Sequence, residues 1–508
     1  MTIPYSLLRA AQTRAKGVAI RHQGVEITWE EEVSRIRRLV GGLLALGLAP
    51  GDRLAILAAN IPEHMEITYA AIWAGIVIVP LNTRLAAAEI AEIIRRSGSK
   101  ALAFDRRNAA RAAEVASGVT ALITIEPGLD ATAVQYDRLL GASEASLRIY
   151  DPADLLGIYY TGGTTGIPKG VELSHGTFHI STLAILHEVG YRDGDTYLHT
   201  APFFHLADYG LANAITYAAG TQVFLAEATP AATIDAIRTQ GVTAMMSVPT
   251  GFHDLLAALP PGEQLPQIRQ LVYGAAPIPM ALLRRMIATF PNARMVQFYG
   301  QTEANGMFTC LRAEDHHLDS KVLSTIGRAV PVAHVRIANA EGNEVPRGTV
   351  GEVQVRGYFQ MRGYRDDPER TAEAFIDGWL RTGDAGSMDE DGYITLADRI
   401  KDMIISGGEN VFSGEVETAL LSHPAIAQAA VVGIPDPRWG EAVHAVLILH
   451  PEASVTEGEL DAHVRRLIAG YKCPKSYSFA TSLPLSAVGK IRKDVLRARM
   501  AAALGTAN

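Results

Sequence analysis

Residues 155–171 read Leu-Leu-Gly-Ile-Tyr-Tyr-Thr-Gly-Gly-Thr-Thr-Gly-Ile-Pro-Lys-Gly-Val, an apolar run from Leu155 to Tyr159 that leads into a loop of glycines, threonines and a lysine. Glycine lets backbone N–H groups approach an anion closely, threonine hydroxyls add donors and lysine adds a point charge. Thr161, Gly162, Gly163, Thr164, Thr165, Gly166 and Lys169 therefore suit a polyphosphate. The loop is not the Gly-x-x-x-x-Gly-Lys-[Ser/Thr] device of P-loop nucleotide triphosphatases. Five residues on from Gly162 and Gly163 stand Ile167 and Pro168, and Lys169 precedes Gly170 rather than a hydroxyl residue for magnesium.

Outward from this loop, the segments 53–58, 101–104, 122–125 and 222–225 have the texture of short buried strands, and 29–46, 62–74, 86–96 and 230–240 are patterned as helices. Their alternation predicts an α/β fold with largely parallel sheets. The apolar stretch 69–81 is too short to span a membrane, which takes about 20 residues, and reads as a buried helix running into a strand. From about residue 327 short strands at 335–337, 351–356 and 393–396 alternate with Gly, Asn, Asp and Pro turns, which predicts a β-rich subdomain over 327–398. A new short pattern follows, with helices at 414–422, 456–467 and 490–499 and strands at 426–434 and 442–449. The predicted division is a large N-terminal domain, 1–398, and a small mobile α+β C-terminal domain, 399–508. No fixed-period repeat marks a solenoid.

Composition narrows the function classes. The 508 residues are 48% hydrophobic and 20% charged, as in an ordinary globular protein with ample core. A formal charge of −8 argues against a nucleic-acid partner for the chain as a whole. Five basic residues fall in 490–499, where a solvated helix face is the plain reading for most of them. Cys310 and Cys473 are the only cysteines, which excludes a disulfide framework or cysteine metal site and fits a cytoplasmic protein. No signal peptide is expected from residues 1–20.

Further segments carry chemistry in a fixed order. Gln297-Phe298-Tyr299-Gly300-Gln301-Thr302-Glu303 offers an aromatic face for a purine, a hydroxyl for phosphate and a hard carboxylate for Mg²⁺. Trp379-Leu380-Arg381-Thr382-Gly383-Asp384 ends on a carboxylate able to accept two hydrogen bonds. Asp398-Arg399-Ile400-Lys401-Asp402, Ser406-Gly407-Gly408-Glu409-Asn410 and Pro484-Leu485-Ser486-Ala487-Val488-Gly489-Lys490 follow. Taken singly, each has a bland reading as a surface turn or an exposed helix start.

Taken together, from about Trp29 to Lys490, these segments resemble the adenylate-forming superfamily, and its acyl-CoA and aryl-CoA ligase branch in particular. A serine is usual where this chain has Gly162, so that side-chain contact to pyrophosphate is not supplied, while backbone N–H groups and Thr161, Thr164 and Thr165 remain. The resemblance implies that Tyr299 packs on adenine, Thr302 touches the α-phosphate, Glu303 binds Mg²⁺, and Asp384 and Arg399 meet the ribose. It makes Lys401 the hinge and Lys490 the adenylation lysine, with Ala275 and Ala276 beside the nucleotide. His205, Gly274, Gly300, Asn305 and Met307 would fall along the acyl tunnel, although His205 is equally readable as a hydrogen-bonded core histidine. Gly407 and Gly408 would approach the thiol arm of coenzyme A, whose nucleotide would meet Arg84, Trp439, Tyr471 and Lys475.

The expectation is an ATP-dependent acid:CoA ligase acting on a hydrophobic monocarboxylic acid, medium- to long-chain fatty or aromatic such as a benzoate or hydroxycinnamate. ATP, Mg²⁺ and coenzyme A would be required, and a homodimer is a reasonable assembly. A luciferase-like or carrier-protein-dependent adenylating enzyme is the rival within the fold. Asp208 is the nearest acid that could serve an amino-group substrate. A nucleotide-binding regulator without chemistry is the rival from another class, and Lys490 together with Thr302, Glu303 and Asp384 speaks against it.

Overall fold

The computed structural model describes all residues except 1–2, 131, 149, 162–167, 277, 400–401, 407–408, 437, 486–490 and 506–508, and describes only the backbone of 398–399, 410 and 501–505. The chain divides into two compact units, one of residues 1–335 and 355–380 and the other of 336–354 and 381–508. This grouping assigns part of the β-rich stretch to the same unit as the C-terminal residues.

The first unit is built on two sheets. One has nine strands in the order Arg328–Ala329, Gly306–Leu311, Arg294–Gln301, Gln270–Gly274, Ala244–Ser247, Thr196–Leu198, Thr221–Phe224, Val18–His22 and Val25–Thr28. It is parallel from Arg294–Gln301 through to Val18–His22 and antiparallel at both edges. The other has eight strands in the order Gly363–Tyr364, Lys169–Ser174, Leu155–Thr161, Val77–Pro80, Arg53–Leu57, Ala101–Phe104, Ala121–Thr124 and Val134–Gln135. Its central strands are parallel, and their residues Leu54, Ala55, Ile56, Ile78, Val79, Leu102 and Ile158 are fully buried. Continuous apolar strands of this kind are what a sheet covered on both faces requires.

Helices supply that cover. Pro62–Ala74 starts with proline at its first turn and ends on Gly75 in the left-handed conformation (φ 76°); it is buried along nearly its whole length, which explains why its sequence is apolar all round. Trp29–Ala45 starts with a capping box, Thr28 accepting from the Glu31 amide while Glu31 reaches back to the Thr28 amide. His175–Val189 is capped by Ser174, the last residue of the strand that returns from the phosphate loop. Strands Leu155–Thr161 and Lys169–Ser174, on either side of that loop, pair antiparallel, Thr161 opposite Lys169 and Tyr159 opposite Val171.

In the second unit, residues 384–388 pair antiparallel with 394–399, which sets Asp384 opposite Arg399. A five-stranded sheet follows in the order Glu409–Val411, Ile404–Ser406, Gly440–Leu449 and Ile426–Asp436, with Ser476–Phe479 parallel to Gly440–Leu449. Helices Ser413–Leu421 and Glu457–Arg465 pack on it around Val416, Leu420, Val431, Val443, Leu460 and Cys473. The last helix is Lys493–Gly505, not 490–499: Arg492 and Asp494 pair at its start, Lys493 reaches Glu417 at 2.7 Å, and Leu485 bridges Ile491 before it. Of the basic residues in 490–499, Arg492, Lys493 and Arg497 make ion pairs, with Asp494, Glu417 and Asp402. Among the described residues no helix is long and apolar enough to cross a membrane. Both cysteines are buried and free.

Candidate active site

The carboxyl ends of strands from both large sheets meet at one place. Leu155–Thr161 delivers the phosphate loop, Gln270–Gly274 delivers Ala275 and Ala276, and Arg294–Gln301 runs through Tyr299 into the short 3₁₀ turn Thr302–Ala304. Ligands of parallel sheets gather at this edge. Gly363–Tyr364 ties the two strand systems together by pairing with the strand that returns from the loop, Tyr364 opposite Val171. The Tyr364 hydroxyl donates to Glu303 Oε1 at 2.8 Å, the Lys169 ammonium lies 4.8 Å from the centre of the Tyr364 ring, and the Met361 amide donates to the Glu303 carbonyl at 2.9 Å. Burial, and then the adjacent Glu303 carboxylate, hold the Tyr364 phenol above its ordinary range, so it is the donor.

Local backbone geometry explains the small residues around it. A Cβ on Gly300 would lie 1.7 Å from the Gly306 carbonyl oxygen, and one on Gly274 would lie 2.3 Å from that of Phe298. Gly274 is therefore required by strand pairing. Ala275 and Asn305 hold left-handed conformations (φ 65° and 50°), and the Asn305 carbonyl accepts from Ser181 Oγ at 2.8 Å. Tyr299 is half-buried, its ring 5.1 Å from that of Phe308 in an edge-to-face arrangement. Met307 is packed into the core with Leu211, Ala214 and Ile215.

His205 is the N-cap residue of helix Leu206–Ala218, half-buried, with its ring centre 4.5 Å from that of Phe204. The segment before it is firmly held: Asn60 donates to the Ala201 carbonyl and accepts from the Phe203 amide. Asp208 is fully buried and engaged on both oxygens, by the Tyr197 hydroxyl and by His199 Nδ1, each at 2.6 Å. Arg84 stands exposed in the turn after Pro80.

In the second unit Asp384 is buried, with its amide donating to Thr382 Oγ1 at 3.1 Å, while Glu352 accepts from the Gly383 amide and from Arg381. Trp439 is flanked by two cations, the Arg438 guanidinium at 4.7 Å and the Lys475 ammonium at 5.6 Å from its ring centre. Tyr471 is exposed, next to Lys472, which pairs with Glu415. Gly162, Gly163, Thr164, Thr165, Gly166, Lys401, Gly407, Gly408 and Lys490 lie outside the described residues, as does the Arg399 side chain.

No group of three or more metal-ligating side chains occurs among the described residues. Mg²⁺ usually takes only one or two protein carboxylates and fills its octahedron with phosphate oxygens and water, and the single carboxylate of Glu303 beside the phosphate-loop strand fits that donor set. The residue that sequence reasoning missed is Tyr364. Its Gly-Tyr dipeptide carries no signal by itself, and its partner Glu303 is 61 positions away.

Comparison with known proteins agrees with this geometry. The family description "AMP-binding enzyme" matches residues 7–365, and "AMP-binding enzyme C-terminal domain" matches 415–490. A feruloyl-CoA synthase of Amycolatopsis sp is 37% identical over 500 residues, covering 97% of this chain and 98% of that protein. The fatty acid–[acyl-carrier-protein] ligase ScoC of Streptomyces coeruleorubidus is 35% identical over 502 residues, covering 96% and 94%. The o-succinylbenzoate CoA synthetase of Bacillus subtilis, solved with its acyl-adenylate intermediate, superposes with a TM-score of 0.86 at 29% identity, covering 97% of each chain; the same enzyme has been solved with ATP and magnesium ion. The chain belongs to the AMP-binding enzyme family, in its acyl-CoA and aryl-CoA ligase branch. It is an AMP-forming acid–thiol ligase that works with ATP, Mg²⁺ and coenzyme A.

Proposed function

We propose that this ligase activates a hydrophobic monocarboxylic acid, fatty or aromatic, with a hydroxycinnamate-type acid the first to test, given the likeness to a feruloyl-CoA synthase. The observation that carries the adenylation reading is the meeting of Lys169 and Glu303 on the two sides of Tyr364. There the loop 161–166 and Lys169 hold the departing phosphates, Tyr299 faces adenine, Thr302 donates to the α-phosphate, and Glu303 holds Mg²⁺. The metal would neutralise part of the polyphosphate charge. Asp384 and Arg399 take the ribose hydroxyls.

Chemistry then runs in two steps. A carboxylate oxygen of the acid attacks the α-phosphorus, the bond to the β-phosphate oxygen breaks, and pyrophosphate leaves. The Lys490 ammonium lies between the two anions and stabilises the charge that develops. In the second step the coenzyme A thiol loses its proton to solvent, its sulfur attacks the acyl carbon, the bond from that carbon to the AMP phosphate oxygen breaks, and AMP leaves with the electron pair. For this step the C-terminal part turns about Lys401, withdrawing Lys490 and presenting Gly407 and Gly408, with Arg84, Trp439, Tyr471 and Lys475 on the nucleotide of coenzyme A. His205, Gly300 and Asn305 border the acyl group.

An amino-acid substrate is disfavoured because Asp208 already accepts from Tyr197 and His199. The same reading has a cytoplasmic enzyme and a homodimer, the latter to be checked by sedimentation. The test is AMP and pyrophosphate release over a panel of cinnamic, benzoic and fatty acids, with and without coenzyme A. Turnover of cinnamic or fatty acids that needs coenzyme A is expected; turnover that ignores it across the panel would shift the reading to a carrier-dependent partner, as in ScoC. Lys490→Ala should abolish adenylate formation yet spare thioester formation from a presynthesised acyl-adenylate, and Lys401→Pro should do the reverse. Loss of both half-reactions together in folded Lys490→Ala would refute its role.

A further inference from the structure

We propose that Tyr364 is a positioning residue for ATP, its hydroxyl fixing the Glu303 carboxylate and its ring face receiving the Lys169 ammonium, so that acid and cation stay apart until Mg·ATP enters between them. This rests on the assignment of Glu303 and Lys169 to the nucleotide.

The geometry makes Tyr364 a spacer. An unrestrained Lys169, at the start of its strand, and Glu303, in its 3₁₀ turn, would tend to neutralise one another, leaving neither free for phosphate or metal. Tyr364 offers each a different surface: its oxygen, 2.8 Å from Glu303 Oε1, and its π face, 4.8 Å from Lys169 Nζ. A hydrogen bond to one carboxylate oxygen leaves the other available for a metal, and a cation over a ring keeps its N–H donors available for phosphate. The spacer is itself held from three directions. Its amide donates to Thr371 Oγ1 at 2.9 Å, its strand pairs with residues 171–172, and the flanking Met361 and Arg365 amides donate to the carbonyls of Glu303 and Gly170 at 2.9 and 2.7 Å. The same short segment therefore grips the backbone on both sides of the site. Gly363, at φ 155°, lies against Thr371, where a Cβ would come within 2.8 Å of the side chain.

The test measures nucleotide binding rather than turnover. The full chain, its Tyr364→Phe and Tyr364→Leu variants, and Glu303→Gln as a reference are titrated by calorimetry with ATP, in the presence of Mg²⁺ and in EDTA. Tyr364→Phe keeps the ring and should weaken binding of Mg·ATP about five- to tenfold, from the loss of one charge-assisted hydrogen bond, while leaving binding in EDTA within about twofold. Tyr364→Leu also removes the ring and should weaken both. The ratio of the two affinities is insensitive to a fraction of unfolded protein, so a stability loss cannot imitate the result. A Tyr364→Phe ratio equal to that of the parent, with Glu303→Gln losing its Mg²⁺ dependence, would overturn the role of Tyr364 and leave that of Glu303 standing. Mg²⁺ dependence retained in Glu303→Gln would overturn the nucleotide assignment and this proposal with it.

Discussion

A methyl group added at Gly300 would have to share space with the Gly306 carbonyl oxygen, 1.7 Å away, and that oxygen belongs to the backbone of the paired strand. Neither partner can rotate out of the way, so Gly300→Ala must shift the turn that carries Thr302 and Glu303. Overpacking of this kind costs about 1–3 kcal/mol. The expected outcome is a lowered melting temperature together with loss of most ATP-dependent pyrophosphate release; a variant with parental stability and rate would contradict the geometry. At this scale the sequence was informative where residue type and chemistry coincide. Thr302, Glu303 and Lys169 could be singled out because a hydroxyl, a carboxylate and an ammonium suit the phosphates and metal of ATP, and the structure brings Glu303 and Lys169 to one side chain. Gly274 is harder to read, because close strand pairing and an open pocket both call for a small residue. Asp208 looked available because nothing local reveals that Tyr197 and His199 fold onto it.

Elements were legible where one period or one chemical signal dominates. The helix expected over 62–74 is Pro62–Ala74, and the strand over 101–104 is Ala101–Phe104, the first announced by proline and a closing glycine, the second by a short apolar run. The last helix begins three residues beyond Lys490 because Arg492 and Asp494 organise its first turn, a local ion pair that helical periodicity does not register. The strand after the phosphate loop shows how one element places another. Strand Lys169–Ser174 passes directly into helix His175–Val189, and Ser174 caps that helix, its Oγ accepting from the Thr177 amide at 3.3 Å while its own amide donates to Thr177 Oγ1 at 3.1 Å. Ser174→Ala should lower unfolding stability by about 1 kcal/mol, read as a shifted urea midpoint, without altering Mg·ATP affinity. A parental midpoint would show that the cap contributes little here.

Over the whole molecule, buried histidines make stability depend on pH. Burial pushes His64 and His175 from an ordinary value of 6.5 down to about 4. His64 is enclosed beside Phe203, and His175 stacks on Tyr150 with ring centres 4.8 Å apart. The unfolded chain takes up these protons near pH 6.5, whereas the folded chain resists them until about pH 4. Their neutral state therefore contributes stability that is complete above pH 6.5 and declines as the pH falls towards 4, by at most roughly 3 kcal/mol apiece. Urea midpoints measured from pH 7 down to 4 should fall, and His175→Phe, which keeps the stacked ring and removes the titration, should flatten the profile. An unchanged slope in that variant would place the acid sensitivity elsewhere. A large N-terminal domain followed by a small C-terminal one was legible, because a new short α/β pattern begins late in the sequence. The grouping of residues 336–354 with 381–508 was not, because contacts distant in sequence decide it.

An enzyme that forms a mixed anhydride in the presence of a thiol is at risk from its own sulfur. Cys310 and Cys473 are both enclosed in cores, and burial raises both thiols above their ordinary value, so neither supplies a thiolate at neutral pH. The acyl group thus meets no competing nucleophile of this kind on the folded protein and is left for coenzyme A. Maleimide should spare the native enzyme and label it only as it opens, which turns the silent cysteines into a reporter of unfolding during turnover.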